Sequence, residues 1–114
     1  MVARNKLLAA PPYPVEHALK VLGDNLRTAR LRRNLTVEQV AERIGAGPRA
    51  ITAAEKGKAS TGISVFAALL WSYDLLDSFT ELADPTADTE GLALAMTREP
   101  LRARSPSRER DDDF

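Results

Sequence analysis

Residues 35–57 read LTVEQVAERIGAGPRAITAAEKG, and the fold turns on this stretch. Thr36 stands as the cap of a helix, Gln39 three residues on is its capping-box partner, and Leu35 with Val40 forms a hydrophobic staple across the same start. The helix opens at Val37 and turns Val37, Val40, Ala41 and Ile44 inward. Gly45 ends it, at a position where a left-handed residue avoids the Cβ penalty. Pro48 suits the first position of the next helix, because its φ is already helical and its missing N–H has no partner to lose there. That second helix runs to about Lys56, is closed by Gly57, and buries Ile51 and Ala54.

Two short helices joined by Gly45, Ala46 and Gly47 have the length and turn chemistry of a helix-turn-helix. Upstream, Leu19, Leu22, Leu26 and Ala29 step by three, four and three, which predicts a helix over 15–33 with Gly23 as a weak point. Pro11, Pro12 and Pro14 set residues 1–14 apart as a flexible, extended arm. Downstream, Val65, Phe66, Leu69, Leu70 and Tyr73 predict a fourth helix capped by Ser64, with Trp71 on its last turn packed in the core. Leu76, Phe79, Leu82 and Ala83 predict a fifth, stopped by Asp84-Pro85. Residues 90–97 (EGLALAMT) fit either helix or strand, since Leu92, Leu94 and Met96 alternate while Ala and Leu favour helix. From Arg98 the charged stretch REPLRARSPSRERDDDF reads as a disordered tail. The expectation is all-α: an arm over 1–14, a five-helix domain over 15–84, an extension over 85–97 as a dimer or partner contact, and a charged tail over 98–114.

The 114 residues suit one domain with one core. With no cysteine and a single histidine, His17, there is no disulfide framework and no thiolate or histidine cluster for a metal. No nucleophile–base pair or phosphate-binding Gly-rich loop is present either, so no enzyme, no cofactor and no metal are expected. No apolar run long enough for a membrane span or a signal peptide occurs, which predicts a cytoplasmic protein without a membrane partner. The zero net charge hides an asymmetry: residues 20–58 carry nine Lys/Arg against four Asp/Glu, and residues 59–97 carry none against six. A basic block followed by an acidic one predicts a positive face for a polyanion and a second face for another partner.

Residues 22–58, LGDNLRTARLRRNLTVEQVAERIGAGPRAITAAEKGK, closely resemble the helix-turn-helix of the XRE family of small phage-type repressors, in a match that runs from Leu22 to about Tyr73 and is carried by Arg30, Leu35-Thr36, Ala41, Gly45, Ile51, Glu55 and Gly57. Residues 69–104, LLWSYDLLDSFTELADPTADTEGLALAMTREPLRAR, resemble more loosely the C-terminal part of HipB-like antitoxins, which are paired with HipA-like kinase toxins. The resemblance implies a five-helix phage-repressor-like fold with residues 48–56 as recognition helix in the major groove. Arg49 and Thr52 then take base-reading positions, beside Gly47, Pro48 and Ala53 at the same surface. Thr36, Lys56 and Lys58 take phosphate-flanking positions that place the protein on the duplex. Arg30 and Glu55 correspond to a structural ion pair, buried in the family.

Departures from the family weaken direct readout. Val37 stands where Gln is common, Gly47 replaces Ser or Thr, and Ala50, Ala53 and Ala54 leave the recognition helix with few polar groups. Specificity then rests on Arg49, Thr52 and DNA shape, or the motif is a scaffold for another surface. Arg27, Arg32, Arg33 and Arg43 read first as solvated helix faces. The expected function is an autorepressing, nucleoid-associated DNA-binding regulator, a homodimer on a palindromic double-stranded operator and the antitoxin of a HipA-like kinase. The dimer contact falls on Leu92–Met96 or on the fifth helix. The alternative is a protein-binding antitoxin or adaptor with little sequence-specific DNA binding.

Overall fold

The prolines near the N-terminus do not keep the chain extended. A computed structural model describes residues 5–98, and within it Lys6–Ala9 form a short helix, α1, whose Leu7 and Leu8 N–H groups donate to the Asn5 side chain. The next helix, α2, spans Tyr13–Arg32 and so takes in Tyr13 and Pro14, two residues before the expected start. The first amides of a helix have no intrahelical acceptor, so Pro14 loses no hydrogen bond there. Residues 1–4 of the expected arm, and the charged tail beyond Arg98, lie outside the described residues.

Five further helices follow: α3 Val37–Ile44, α4 Pro48–Glu55, α5 Ile63–Ser72, α6 Leu76–Thr80 and α7 Thr89–Thr97. The described residues contain seven helices and no strand, an all-α fold in which α2 to α6 are the five expected and α1 and α7 are added. The chain divides into two compact units, with the boundary between Thr80 and Glu81.

The core of the first unit lies where α2, α3, α4 and α5 converge. Leu26 and Ala29 from α2, Val40 and Ala41 from α3, Ile51 and Ala54 from α4, and Phe66, Leu69 and Tyr73 at α5 are buried. Each large side chain fully buried there contributes about 1.5–3 kcal/mol. Leu19, Leu22, Leu35, Val37 and Ile44 pack around this centre half-buried.

Helix ends follow a common device. Asn34, Gly57 and Asp74 take left-handed conformations, at φ 58°, 70° and 61°, just past α2, α4 and α5. At each, the next amide reaches back into the last turn: Leu35 N–H to Arg30, Lys58 N–H to Ala53 and Leu75 N–H to Leu70. Asn and Asp tolerate this conformation better than other non-glycine residues, which periodicity alone does not reveal.

The structure corrects several expectations. Helix α5 is capped at Gly62 with no side-chain hydrogen bond, and Ser64 lies inside its first turn. Trp71 is 58% exposed, because it falls on the opposite side of α5 from Leu69. Helix α6 stops at Thr80 instead of continuing to Ala83; Leu82 is exposed, so no burial rewards another turn, and Ala83 is left-handed. Residues 89–97 are helical, settled by Asp88, whose side chain caps α7 by accepting from the Gly91 N–H at 3.0 Å.

Candidate nucleic-acid interface

The site begins with the punctuation of α3. The Thr36 hydroxyl oxygen accepts from the Gln39 N–H at 3.0 Å, and the Gln39 side-chain oxygen accepts from the Thr36 N–H at 2.8 Å. Thr36 is exposed, at the mouth of a helix whose other first-turn N–H groups point outward. Gly45 ends α3 in the left-handed region, and Gly47 precedes α4 in an extended conformation with Pro48 in its first turn.

Helix α4 is thereby divided into two faces. Ile51, Ala54 and Glu55 are buried; Pro48, Arg49 and Thr52 are exposed, as are Gly47 before the helix and Lys56 at its cap. Arg49, Thr52 and Lys56 follow a spacing of three and four and share the outward face. Arg49 makes no hydrogen bond or ion pair among the described residues, which leaves its five donors free. The Thr52 hydroxyl donates to the Pro48 carbonyl at 3.2 Å, so the groups it presents outward are oxygen lone pairs and a methyl. Ala53 is half-buried and its carbonyl accepts from Lys58, leaving little of it at the surface. Lys58 is exposed just beyond Gly57.

Behind this face α4 is held by a buried charge pair. Arg30 Nε donates to Glu55 Oε2 at 2.7 Å and Nη2 donates to Oε1 at 3.0 Å, while Nη1 donates to the Leu35 carbonyl at 3.0 Å. This two-pronged geometry fixes angle as well as distance. The hydrogen bonds to Glu55 raise the Arg30 pKa above its ordinary value. One guanidinium therefore joins α2, the α2–α3 turn and the last residue of α4.

Two anchoring residues were not foreseen in the sequence. Arg33 is exposed at the end of α2, yet its guanidinium donates to the Ala29 carbonyl and to the Tyr73 carbonyl, both at 2.9 Å, and lies 5.3 Å from the centre of the Tyr73 ring. It is a clamp between α2 and α5 rather than a free surface charge. At Gly23 a Cβ would fall 2.5 Å from the Glu55 carbonyl oxygen and 2.7 Å from that of Ala54. The glycine that looked like a weak point in α2 is what lets the end of α4 lie against it. No periodic signal carries either role, because both depend on how α2 crosses its neighbours.

The charge of the interface follows from this sorting. With Arg30 neutralised by Glu55, the block 20–58 still exposes Lys20, Arg27, Arg32, Arg33, Arg43, Arg49, Lys56 and Lys58 against Asp24, Glu38 and Glu42. His17 is exposed and stacks on Tyr13, with ring centroids 5.8 Å apart. Among the described residues no group of His, Asp or Glu is arranged to hold a metal, and no helix is long and apolar enough to cross a membrane.

The model of a family described as helix-turn-helix domain matches residues 21–81, more than half of the chain. No curated protein and no solved structure matches it. The matched span runs from the Gly23 crossing through the capped α3, the three-residue turn and α4 to the end of α6, and the chain belongs to the helix-turn-helix domain family.

Proposed function

We propose that this chain is a homodimeric transcriptional regulator of the phage-repressor (XRE) class that inserts α4 into the major groove of a palindromic operator. The observation that carries the reading is the outward face of α4, with an unpaired Arg49, Thr52 and Lys56 on a helix whose other side is held by buried groups. Arg49 reads a guanine through O6 and N7, and Thr52 offers an acceptor to a base amine or its methyl to thymine. Gly47, Pro48 and Ala53 allow close approach. Thr36, Lys56 and Lys58 take phosphates and set the register. One such helix spans few base pairs, so two copies spaced about 34 Å apart on the duplex supply affinity and specificity.

The finer reading is an autorepressing antitoxin of a HipA-like kinase toxin, cytoplasmic and nucleoid-associated. Its support is the likeness of residues 69–104 to HipB-like antitoxins and the acidic run along residues 74–90, opposite in sign to the basic block 20–58. Co-purification with the product of the neighbouring reading frame tests it; a neighbour that is not a kinase and does not bind removes it.

The DNA reading is tested by Arg49→Ala beside Lys56→Ala and Lys58→Ala. Arg49→Ala is expected to cost about 1–3 kcal/mol of discrimination at one base position, and each lysine variant to weaken all sequences alike and lower the salt slope by about one. Equal loss on operator and random DNA assigns Arg49 to the backbone.

A second reading has support of its own: Ala50 and Ala53 offer no polar group, and the Thr52 hydroxyl proton is held inside the helix. On that reading the chain is a protein-binding antitoxin or adaptor with little sequence-specific DNA binding. A salt titration separates the two, since an adaptor shows only weak, sequence-blind binding that vanishes at moderate salt.

A further inference from the structure

Where α4 ends, the chain is pressed against α2. Gly57 has φ 70°, and a Cβ on it would lie 2.6 Å from the Leu19 carbonyl oxygen and 2.8 Å from the Lys20 Cα. This contact brings Lys20, thirty-odd residues earlier in the chain, beside the two lysines that flank Gly57. Lys20, Lys56 and Lys58 are all exposed, and they line one open cavity with Leu8 and Ala9 of α1 on its wall. Glu16, one turn before Lys20, also lines it, yet none of the three lysines is ion-paired among the described residues. The backbone contact between Gly57 and Leu19–Lys20 fixes where the three stems begin, and it gathers three positive charges around one cavity. An anion among them relieves the repulsion.

We propose that Lys20, Lys56 and Lys58 form a single clamp for the phosphate backbone of DNA, with Lys20 contributed by α2 from outside the helix-turn-helix. The inference rests on the DNA-binding reading and extends it. Lys56 belongs both to the outward face of α4 and to the cavity, so a duplex lying on α4 runs directly into the clamp. Lysine suits the task, since an ammonium on a flexible stem meets phosphate oxygens as a point charge without a fixed angle.

The test is the salt dependence of binding to a fluorescent random-sequence duplex, measured by anisotropy for the full chain and for Lys20→Gln, Lys20→Arg and Lys56→Gln. Lys20→Gln and Lys56→Gln are each expected to lower the slope of log K against log salt by about one, and Lys20→Arg to keep it. Should Lys20→Gln melt early, Lys20→Met, which keeps most of the stem without the charge, reads the same slope. An unchanged slope for the neutral Lys20 variants, beside a reduced one for Lys56→Gln, overturns the clamp and leaves the DNA-binding reading standing. Failure of the unmodified chain to bind any duplex at low salt overturns both.

Discussion

The Arg30–Glu55 pair illustrates how one buried contact can govern a surface it never touches. Both groups are nearly shielded from water, and Glu55 lies directly behind the exposed face of α4. Replacing Arg30 by Ala leaves a buried carboxylate without its partner and the Leu35 carbonyl without a donor, a loss of about 3–5 kcal/mol. Chemical denaturation is expected to show that loss in the absence of DNA; a variant that unfolds like the parent would show the pair to be dispensable. Tyr73 makes the opposite case. It is 1% exposed, and its hydroxyl has no hydrogen-bond partner among the described residues. Tyr73→Phe is therefore expected to raise stability at neutral pH by about 1 kcal/mol, through removal of an unpaired polar group. Burial, and then the charge of Glu55, push the phenol above its ordinary value of 10.0. The unfolded chain ionises near that value and the folded chain only above it, so stability is kept below pH 10 and lost as pH rises toward the folded value. Denaturation midpoints across that range should fall less steeply in Tyr73→Phe; parallel curves would show that the buried phenol does not contribute.

Among the elements, α2 is the one that reaches the ends of both α4 and α5. Its Gly23 admits the carbonyls of Ala54 and Glu55, its Lys20 backbone meets Gly57, and Arg33, its C-terminal cap residue, reaches the end of α5. A methyl at Gly23 has to displace backbone rather than a flexible side chain. Gly23→Ala is expected to destabilise the domain by about 1–3 kcal/mol, although alanine favours an isolated helix by about 1 kcal/mol. Thermal melting gives the sign, and a stabilised variant would mean that α2 and α4 pack less closely than these distances state. Helix α7 behaves differently: its start is set by the Asp88 cap, and Leu92, Leu94 and Met96 are left exposed.

At the scale of the molecule, charge and core are distributed separately. The buried apolar cluster lies between Leu26 and Tyr73, within the first compact unit, which ends at Thr80. Residues 98–114 carry five basic and five acidic side chains, so their removal leaves the net charge unchanged. Truncation before Arg98 is expected to leave the melting temperature nearly unchanged and to shift DNA affinity only modestly, while weakening capture of a kinase partner that docks on the tail. Gel shift and co-purification on the same two chains measure both. Loss of DNA binding on truncation would make the C-terminal segment part of the proposed dimer contact.

Local chemistry was legible without any structure. The Thr36–Gln39 box, the left-handed Gly45, Pro48 in the first turn and the buried positions of α3 and α4 act within one or two turns of chain, where spacing and residue type are sufficient. The outward face of α4 was legible as the complement of its buried one. The Arg30–Glu55 pair entered through family resemblance, since nothing in the periodicity of either helix points to the other. Tertiary structure alone decided that Gly23 is a close-approach site, that Arg33 is a clamp and that Lys20 stands beside Lys56. Each depends on where one helix axis crosses another, and a crossing is set by the packing of whole side-chain ridges, which no short window of sequence contains.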